Sequence, residues 1–421
     1  PYMNSRSAWV TGSTLYCNTN VEGGEIIKSP VEEISFEDSS GFSQDVTSLT
    51  ARYKTAVIAQ GRTFIGNIEY TDYDGNMKVR PDGMIASPVG SFDSFPASGL
   101  VELVSSDGDD ITKLATYADR ILQFRQRHLY IINISQLGEY FLEDTFKFKG
   151  VDNPAAVCET DFGIAWVNEF GVYFYNGENA ENLFEKDGEQ IVKMKSTSDS
   201  DSWEELYHST AQISYLPDLR QLLVVCRSAE GATGQGFIYD MTTKGWIRIL
   251  DLKASNQYMT NIVLNPYNNK LMWGRHTDTT GGFNFYQWDH SVKSGLSFVY
   301  RTKDIDFEKP GVKKKIYNIK ISYKGDGSGV TVGYLVNGDT DATNDAKPFI
   351  NPDSGSSDTT PLADKSSSEN LESWHVAELN PAVSADANGI YSFAVDIRQS
   401  SSVGNFEIND ITIIYRAKRV K

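Results

Sequence analysis

Asp161-Phe-Gly-Ile-Ala-Trp-Val-Asn168, Glu169-Phe-Gly171 and Val172-Tyr-Phe-Tyr-Asn-Gly177 together decide the fold. Two runs of β-branched and aromatic residues flank a glycine-bearing turn, and the second run closes on Asn176, the pattern of an antiparallel hairpin. The same grammar returns in four other places. Residues 55–70 read Thr-Ala-Val-Ile-Ala-Gln-Gly-Arg-Thr-Phe-Ile-Gly-Asn-Ile-Glu-Tyr, and 114–134 hold Tyr117-Ala-Asp-Arg-Ile-Leu-Gln-Phe124, a turn near Gln126-Arg127, and Leu129-Tyr-Ile-Ile-Asn133. Residues 211–249 give Ile213-Ser-Tyr-Leu-Pro-Asp218, Gln221-Leu-Leu-Val-Val-Cys226, a Gly-rich loop and Phe237-Ile-Tyr-Asp240; residues 262–289 end on Phe283-Asn-Phe-Tyr-Gln-Trp-Asp289.

The closing residues Asn67, Asn133, Asn176, Asp240 and Asp289 stand 66, 43, 64 and 49 positions apart. A four-stranded propeller blade takes about 40–50 residues, so two intervals match and the longer two call for insertions. These are placed at 74–110, rich in Gly, Pro, Ser and Asp, and at 195–207. The expected fold class is all-β: a β-propeller of roughly six blades over residues 1–295, with Ala8-Trp9-Val10 and Leu15-Tyr16-Cys17 supplying first strands or ring closure. Period-2 alternation dominates, and short helices are left open within the insertions, for example around Trp203-Glu-Glu-Leu-Tyr207.

A second domain is expected over 296–421. Ile316–Tyr323 and Val330–Val336 flank Gly325-Asp-Gly-Ser-Gly329 and read as a hairpin, and strands at 391–397 and 406–415 complete an antiparallel β-sandwich. Residues 338–370 carry only Phe349, Ile350 and Leu362 as large apolar side chains and read as a long exposed loop.

Hydrophobic residues make up 40% of the 421, too many for a disordered chain, and the length suits two domains. No apolar run reaches membrane-helix length, so no membrane anchor is expected; the start at Pro1, without signal region or initiator Met, reads as processed or truncated. Cys17, Cys158 and Cys226 are odd in number and scattered, which suits reduced core residues rather than disulfides or a metal site. Net charge is -17, and residues 296–421 hold 15 Lys/Arg against 17 Asp/Glu, leaving 24 against 39 for residues 1–295. A field of that sign repels phosphate, so the first domain is not expected to grip nucleic acid.

Chemical motifs are sparse, and no catalytic residue, cofactor or metal site is expected. Gly231-Ala-Thr-Gly-Gln-Gly236 lacks the lysine of a phosphate loop and lies between strands, so it reads as a blade loop. His128, His208, His276, His290 and His375 have no metal-ligand spacing. Asp72-Tyr-Asp-Gly-Asn76 and Asp107-Gly-Asp-Asp110 offer oxygens to a hard cation but complete no calcium loop, and read as turns. Tyr173, Phe174, Tyr175, Phe283, Phe285, Tyr286 and Trp288 read as packing between blades rather than as a sugar platform. In this acidic chain the positive clusters are Lys309–Lys315 and Arg416–Lys421, so Lys313, Lys314, Lys315, Arg416, Lys418 and Arg419 are the candidate subunit-interface residues.

Arg80-Pro-Asp-Gly, Ser91-Phe-Asp-Ser-Phe-Pro, Tyr117–Phe124, Phe141-Leu-Glu-Asp-Thr-Phe, Asn153-Pro-Ala-Ala-Val, Thr302-Lys-Asp-Ile-Asp-Phe and Ile408-Asn-Asp-Ile-Thr-Ile-Ile-Tyr-Arg resemble structural proteins of tailed bacteriophages. In plan the chain is similar to the tail nozzle or tail-tube proteins of short-tailed phages. That resemblance implies a noncatalytic virion protein, made in the host cytoplasm. It would form a ring, a homohexamer, beneath the portal and adaptor, through which DNA passes without specific binding. Two alternatives stand beside it: a receptor-binding or host-surface adhesin acting through its loops, and a propeller glycosidase acting on surface polysaccharide.

Overall fold

The computed structural model describes residues 51–418 except 72–75, 94, 96–98, 104–107, 137–138, 187–188, 191, 193, 195–201, 232–233, 251, 278–282, 289–297, 328, 340–345, 353–361, 363–372 and 400–405; before residue 51 it describes the strands 8–11, 14–17, 34–37 and 43–46. The chain divides into two compact units, Pro1–Trp288 and Asp289–Lys421, close to the expected boundary.

The first unit is a β-propeller arrangement of five blades. The first blade comprises Ala51–Ala59, Arg62–Thr71, Met77–Ala86 and Leu100–Val101; the second, Ile111–Tyr117, Arg120–Arg125, His128–Gln136 and Glu139–Lys147. The third runs Val157–Thr160, Gly163–Asn168, Gly171–Tyr175, Ala180–Asn182, and the fourth Gln212–Leu216, Gln221–Val225, Gly236–Asp240, Gly245–Ile249. In the fifth, Lys270–Thr277 pairs with Phe283–Gln287 on one edge and, on the other, with a strand broken into Gln257–Met259 and Val263–Asn265. Each of the five hairpins legible in the sequence belongs to one blade.

The expectation of six blades came from dividing length by period, and it is corrected to five. Residues 8–46 form two separate two-stranded ladders, Ala8–Thr11 with Thr14–Cys17 and Ile34–Glu37 with Ser43–Val46, rather than a four-stranded sheet. Nor is 74–110 an insertion: it supplies the two outer strands of the first blade. Pro81 and Gly83 hide the strand Met77–Ala86 because they sit opposite a bulge at Asn67, where the partner register shifts between Gly66 and Ile68. The insertion at 195–207 does carry its expected helix, one turn at Trp203–Leu206, whose fully buried indole donates from Nε1 to the Asn168 carbonyl at 3.2 Å.

Consecutive residues of one strand enter different cores, because a blade is covered on both faces and side chains alternate. In the second blade Ile121 and Ile132 join Phe64, Met84 and Ala86 of the first, whereas Leu122, Phe124 and Ile131 join Trp166 and Tyr173 of the third. In the fourth, Leu222 and Val224 face the third blade's core, whereas Leu223 and Val225 join Leu271 and Trp273 of the fifth. Among the described residues, no such cluster joins the fifth blade to the first.

Polar side chains also tie neighbouring blades together. Thr55 Oγ1 accepts from the Leu114 N–H at 3.0 Å and Asn67 Nδ2 donates to the Ile111 carbonyl at 2.9 Å, joining the first and second blades. Asn153 Nδ2 donates to the carbonyls of Ser209 and Ala211, and Gln212 accepts from Ile262 N–H while donating to the Thr260 carbonyl.

The second unit is an antiparallel sheet of eight strands, Phe298–Arg301, Lys314–Gly325, Val330–Val336, Lys347–Ile350, His375–Pro381, Asn388–Ile390, Phe393–Gln399 and Phe406–Ala417. The expected hairpin across Gly325–Gly329 does not form. Lys314–Gly325 pairs with His375–Pro381, Asn388–Ile390 and Phe406–Ala417, while Val330–Val336 pairs with Lys347–Ile350 and Phe393–Gln399. Both strands alternate, and both send their apolar faces, Ile319, Ile321, Tyr323 and Val330, Val332, Tyr334, into one core, so they meet through side chains rather than backbone. The 338–370 segment is likewise corrected: it contributes the strand Lys347–Ile350, and its apolar residues Phe349 and Leu362 are buried in that core.

Leu122 is fully buried between the second and third blades. Leu122→Ala is expected to lower the unfolding free energy in urea by about 2–5 kcal/mol. The exposed Leu142→Ala of the same blade is expected to stay within about 0.5 kcal/mol of wild type.

Candidate functional site

The cations singled out in the sequence divide when placed on the fold. Lys314 is fully buried and its ammonium donates to the carbonyls of Lys309 and Tyr391, both at 2.7 Å, so it is a structural tie and not the interface residue expected. Alternation explains this, since Lys314 starts a strand whose inward positions are shared with Ile316. Lys313 and Lys315 lie over the rings of Tyr391 and Tyr317 at 5.8 and 5.0 Å, and Arg416 stands opposite Lys315 on the neighbouring strand. The Lys418 N–H donates to the Lys313 carbonyl at 2.7 Å, which brings the two clusters to one sheet edge. Arg419 lies outside the described residues, as do Asp289, His290, Asp72, Asp74 and Asp107.

Asp109 and His128 are occupied. Asp109, with 6% of its surface exposed, accepts from the N–H groups of Gln126 and Arg127 and lies 3.1 Å from His128 Nδ1, so it clamps a blade turn. Beside it the fully buried Arg125 donates to Gln123 Oε1 and the Asp109 carbonyl and stacks over Tyr130. Cys226 is buried and its thiol is pushed up to about 12 by burial; burial also raises that of Cys158, and both are free thiols. Cys17 lies on a described strand, its side chain outside the described set. Of the aromatics expected to pack, Tyr173, Phe174 and Tyr175 do, but Phe285 is 73% exposed, because the fifth blade has no neighbour covering that edge among the described residues.

A different place gathers charged side chains. Two loops, one inside the fourth blade and one leading to the fifth, are zipped together: Gly231 N–H donates to Ser255 O, Gly234 N–H to Lys253 O, and Leu252 N–H to Gly234 O, at 2.8–2.9 Å. They wall a groove of about 580 Å³ lined by Ala229, Glu230, Gly231, Ser255, Asn256 and Tyr258. Tyr258 donates its hydroxyl to Glu230 Oε2 at 2.8 Å. Arg227 reaches Gly231: a Cβ there would stand 2.7 Å from its Nη2, a contact the flexible guanidinium can relieve, so it is the φ of +109 that keeps this position glycine. Lys253, 1% exposed, lies alongside Gly234. Burial, then the charges of Arg227 and Arg275, push its ammonium down to about 8 against the pull of Glu230. Arg275 lies flat over Tyr286, 4.0 Å from the ring centre.

Arg227, Arg275 and Glu230 thus all act on Lys253, and the Nε atoms of Arg227 and Arg275 are buried without hydrogen-bond partners among the described residues. The glycine run 231–236 was legible in the sequence as a loop lacking its lysine. Arg227 and Lys253 stand at positions that no phosphate-loop spacing would bring forward.

No family model matches the sequence, and no curated protein does. Solved structures that align include YCF48 bound to a D1 peptide, at 10% identity and TM-score 0.36 over 71% of this chain and 80% of that one. Trypanosoma rangeli sialidase aligns at 9% identity and TM-score 0.33 over 90% and 84%, and the N-terminal domain of Nup159 at 10% and 0.28 over 63% and 70%. No function passes from likenesses this remote.

The depressed Lys253 fixes a pH dependence. Between about 8 and the 10.5 of a free lysine, the unfolded chain holds a proton that the folded chain has released, so raising pH through this window favours the fold. Stability of wild type relative to Lys253→Met is expected to rise across that window in denaturant titrations, with no such rise below about 8. A flat or falling difference would contradict the assignment.

Proposed function

We propose that the chain is a noncatalytic structural subunit of a bacteriophage tail, of the nozzle or tail-tube type, assembling with copies of itself into a ring around the DNA path. In this reading the C-terminal unit is a sandwich-like docking module and the propeller forms the conduit wall. The observation that supports it is apolar surface left open on the fifth blade. Val263 is 58% exposed, Leu264 42%, Tyr267 97% and Phe285 73%. The first blade leaves Ile58 63% and Met77 and Val79 each 62% exposed. Single exposed apolar residues are ordinary, whereas several on one blade suit a contact surface. Charge is consistent with the conduit, because the acid is concentrated in residues 1–295 and a negative wall lets DNA pass without adhering. Adaptor, portal or other tail proteins are the expected neighbours.

Native mass spectrometry and negative-stain microscopy of the full chain are expected to show a closed ring, a hexamer, with a central channel. The double change Tyr267→Asp and Phe285→Asp is expected to shift the population to monomer while leaving the far-ultraviolet circular dichroism unchanged. A chain that stays monomeric at all concentrations and in assembled particles would sink the proposal.

A further inference from the structure

The C-terminal strand Phe406–Ala417 pairs with Lys314–Gly325 along one edge, and among the described residues no strand lies along its other edge. We propose that this free edge pairs with the same edge of a second copy of the chain, antiparallel about a two-fold axis at Ile413, so that each copy's Asp410 faces the other's Arg416.

Outer strands are ordinarily kept short, bent or charged, because their unpaired N–H and C=O groups template pairing with another chain. The opposite end of the same sheet follows that rule with the four-residue strand Phe298–Arg301. Phe406–Ala417 runs for twelve. Its own extra residue is Asn409, and the other shift in register is taken up by Tyr317 on the partner strand, so the stretch from Asp410 to Ala417 is unbroken. Within it, Ile411-Thr-Ile-Ile-Tyr415 combines high β propensity with no charge, proline or glycine, the composition that makes an open edge adhesive. Ile414 and Tyr415 are 39% and 36% exposed.

Backbone geometry identifies the free groups. The Lys418 N–H donates to the Lys313 carbonyl, and residues of an antiparallel strand turn their N–H and C=O alternately to one side and the other. Arg416, Ile414, Thr412 and Asp410 therefore face Lys314–Gly325, while Ile411, Ile413 and Tyr415 face the open edge. Pairing about Ile413 sets Ile411 against Tyr415 and Ile413 against itself, which satisfies all three. Thr412 then faces Ile414 and Asp410 faces Arg416 at non-bonded pairs, where Cα atoms stand about 4.5 Å apart and side chains meet most closely. Both charged residues are exposed. Asp410 is held by Asn409 and Thr412 of its own strand at 3.4 and 3.3 Å, long hydrogen bonds that leave its carboxylate open to a cation. Arg416 stands opposite Lys315, a like charge, and a carboxylate across the free edge offsets that repulsion. A second copy supplies both partners at once, by symmetry.

This contact is a two-fold one between C-terminal units, whereas the ring is a head-to-tail assembly supported by the propeller's surface, so either can hold without the other. One strand edge is smaller than the about 1,000 Å² of a stable interface, so the pair is weak in dilute solution and is read by trapping at high concentration. Thr412→Cys and Ile414→Cys are made in separate full-length chains carrying Cys17→Ser, and the two are oxidised alone and mixed. The mixture should yield chains linked between positions 412 and 414, since facing Cα atoms at about 4.5 Å lie within the span of a disulfide, and each variant alone should yield few. Adding Arg416→Asp to both chains should cut the yield about threefold to thirtyfold, as two cross-strand pairs turn from attraction to repulsion, and adding Asp410→Arg as well should restore it. Lys303→Asp, the same charge change at another exposed position of the unit, should leave the yield unchanged. No linked chains, linking by either variant alone as readily as by the mixture, or equal yields from Arg416→Asp and Lys303→Asp would each overturn the pairing. A ring without linked chains removes this contact and leaves the ring standing; linked chains from a protein that forms no ring do the reverse.

Discussion

A blade's first strand has one edge with no strand beside it, and its backbone N–H and C=O groups on that edge must find partners elsewhere. In this protein they find them on the neighbouring blade. Thr55 takes the Leu114 N–H, Asn67 the Ile111 carbonyl, Asn153 the Ser209 and Ala211 carbonyls just before the fourth blade, and Gln212 the break between Gln257–Met259 and Val263–Asn265 in the fifth. Each buried polar group left unmade would cost about 1–3 kcal/mol, so these ties set blade spacing as strictly as apolar packing does. Asn67 can do this only because the bulge turns it, at φ +57, out of the ladder.

Two-sided burial follows from the same arrangement. Once a sheet is covered on both faces, adjacent residues such as Ile121 and Leu122, or Leu222 and Leu223, must both be apolar although they point in opposite directions. At the ends of the series this logic stops. The first and fifth blades each have a described neighbour on one side, and both leave large apolar side chains such as Ile58, Val79, Val263 and Phe285 exposed. The fourth and fifth blades also differ from the others in how their junction is filled: apolar side chains occupy the strands, while Arg227, Lys253 and Arg275 crowd the loop end.

Much of this was legible. Five hairpins were read from alternation and their turns, and five blades formed, because strand alternation and turn chemistry are local properties. The sixth was inferred from length, which carries no information about pairing. The outer strands of the first blade were missed because Met77–Ala86 has a proline and a glycine inside it and an exposed first half, and only the partner strand reveals that Pro81 and Gly83 sit at a bulge. The hairpin at Gly325–Gly329 was misread for a related reason: alternation tells which face is apolar but not whether the next strand lies beside it or across the core. Lys314 shows the limit for charge, since a basic run looks solvated until one member falls on an inward position.

By itself, then, the sequence determined an all-β chain, its hairpin units, its division near residue 290 and the segregation of acid into the first part, all of which depend on neighbours along the chain. Tertiary structure alone decided the number of blades, which strands pair in the C-terminal sheet, which lysine is buried, and that Arg227, Lys253 and Arg275 meet beside one groove. Those facts depend on groups 22 to 26 residues apart or more being brought together across blades, and no local pattern of residues encodes such a meeting.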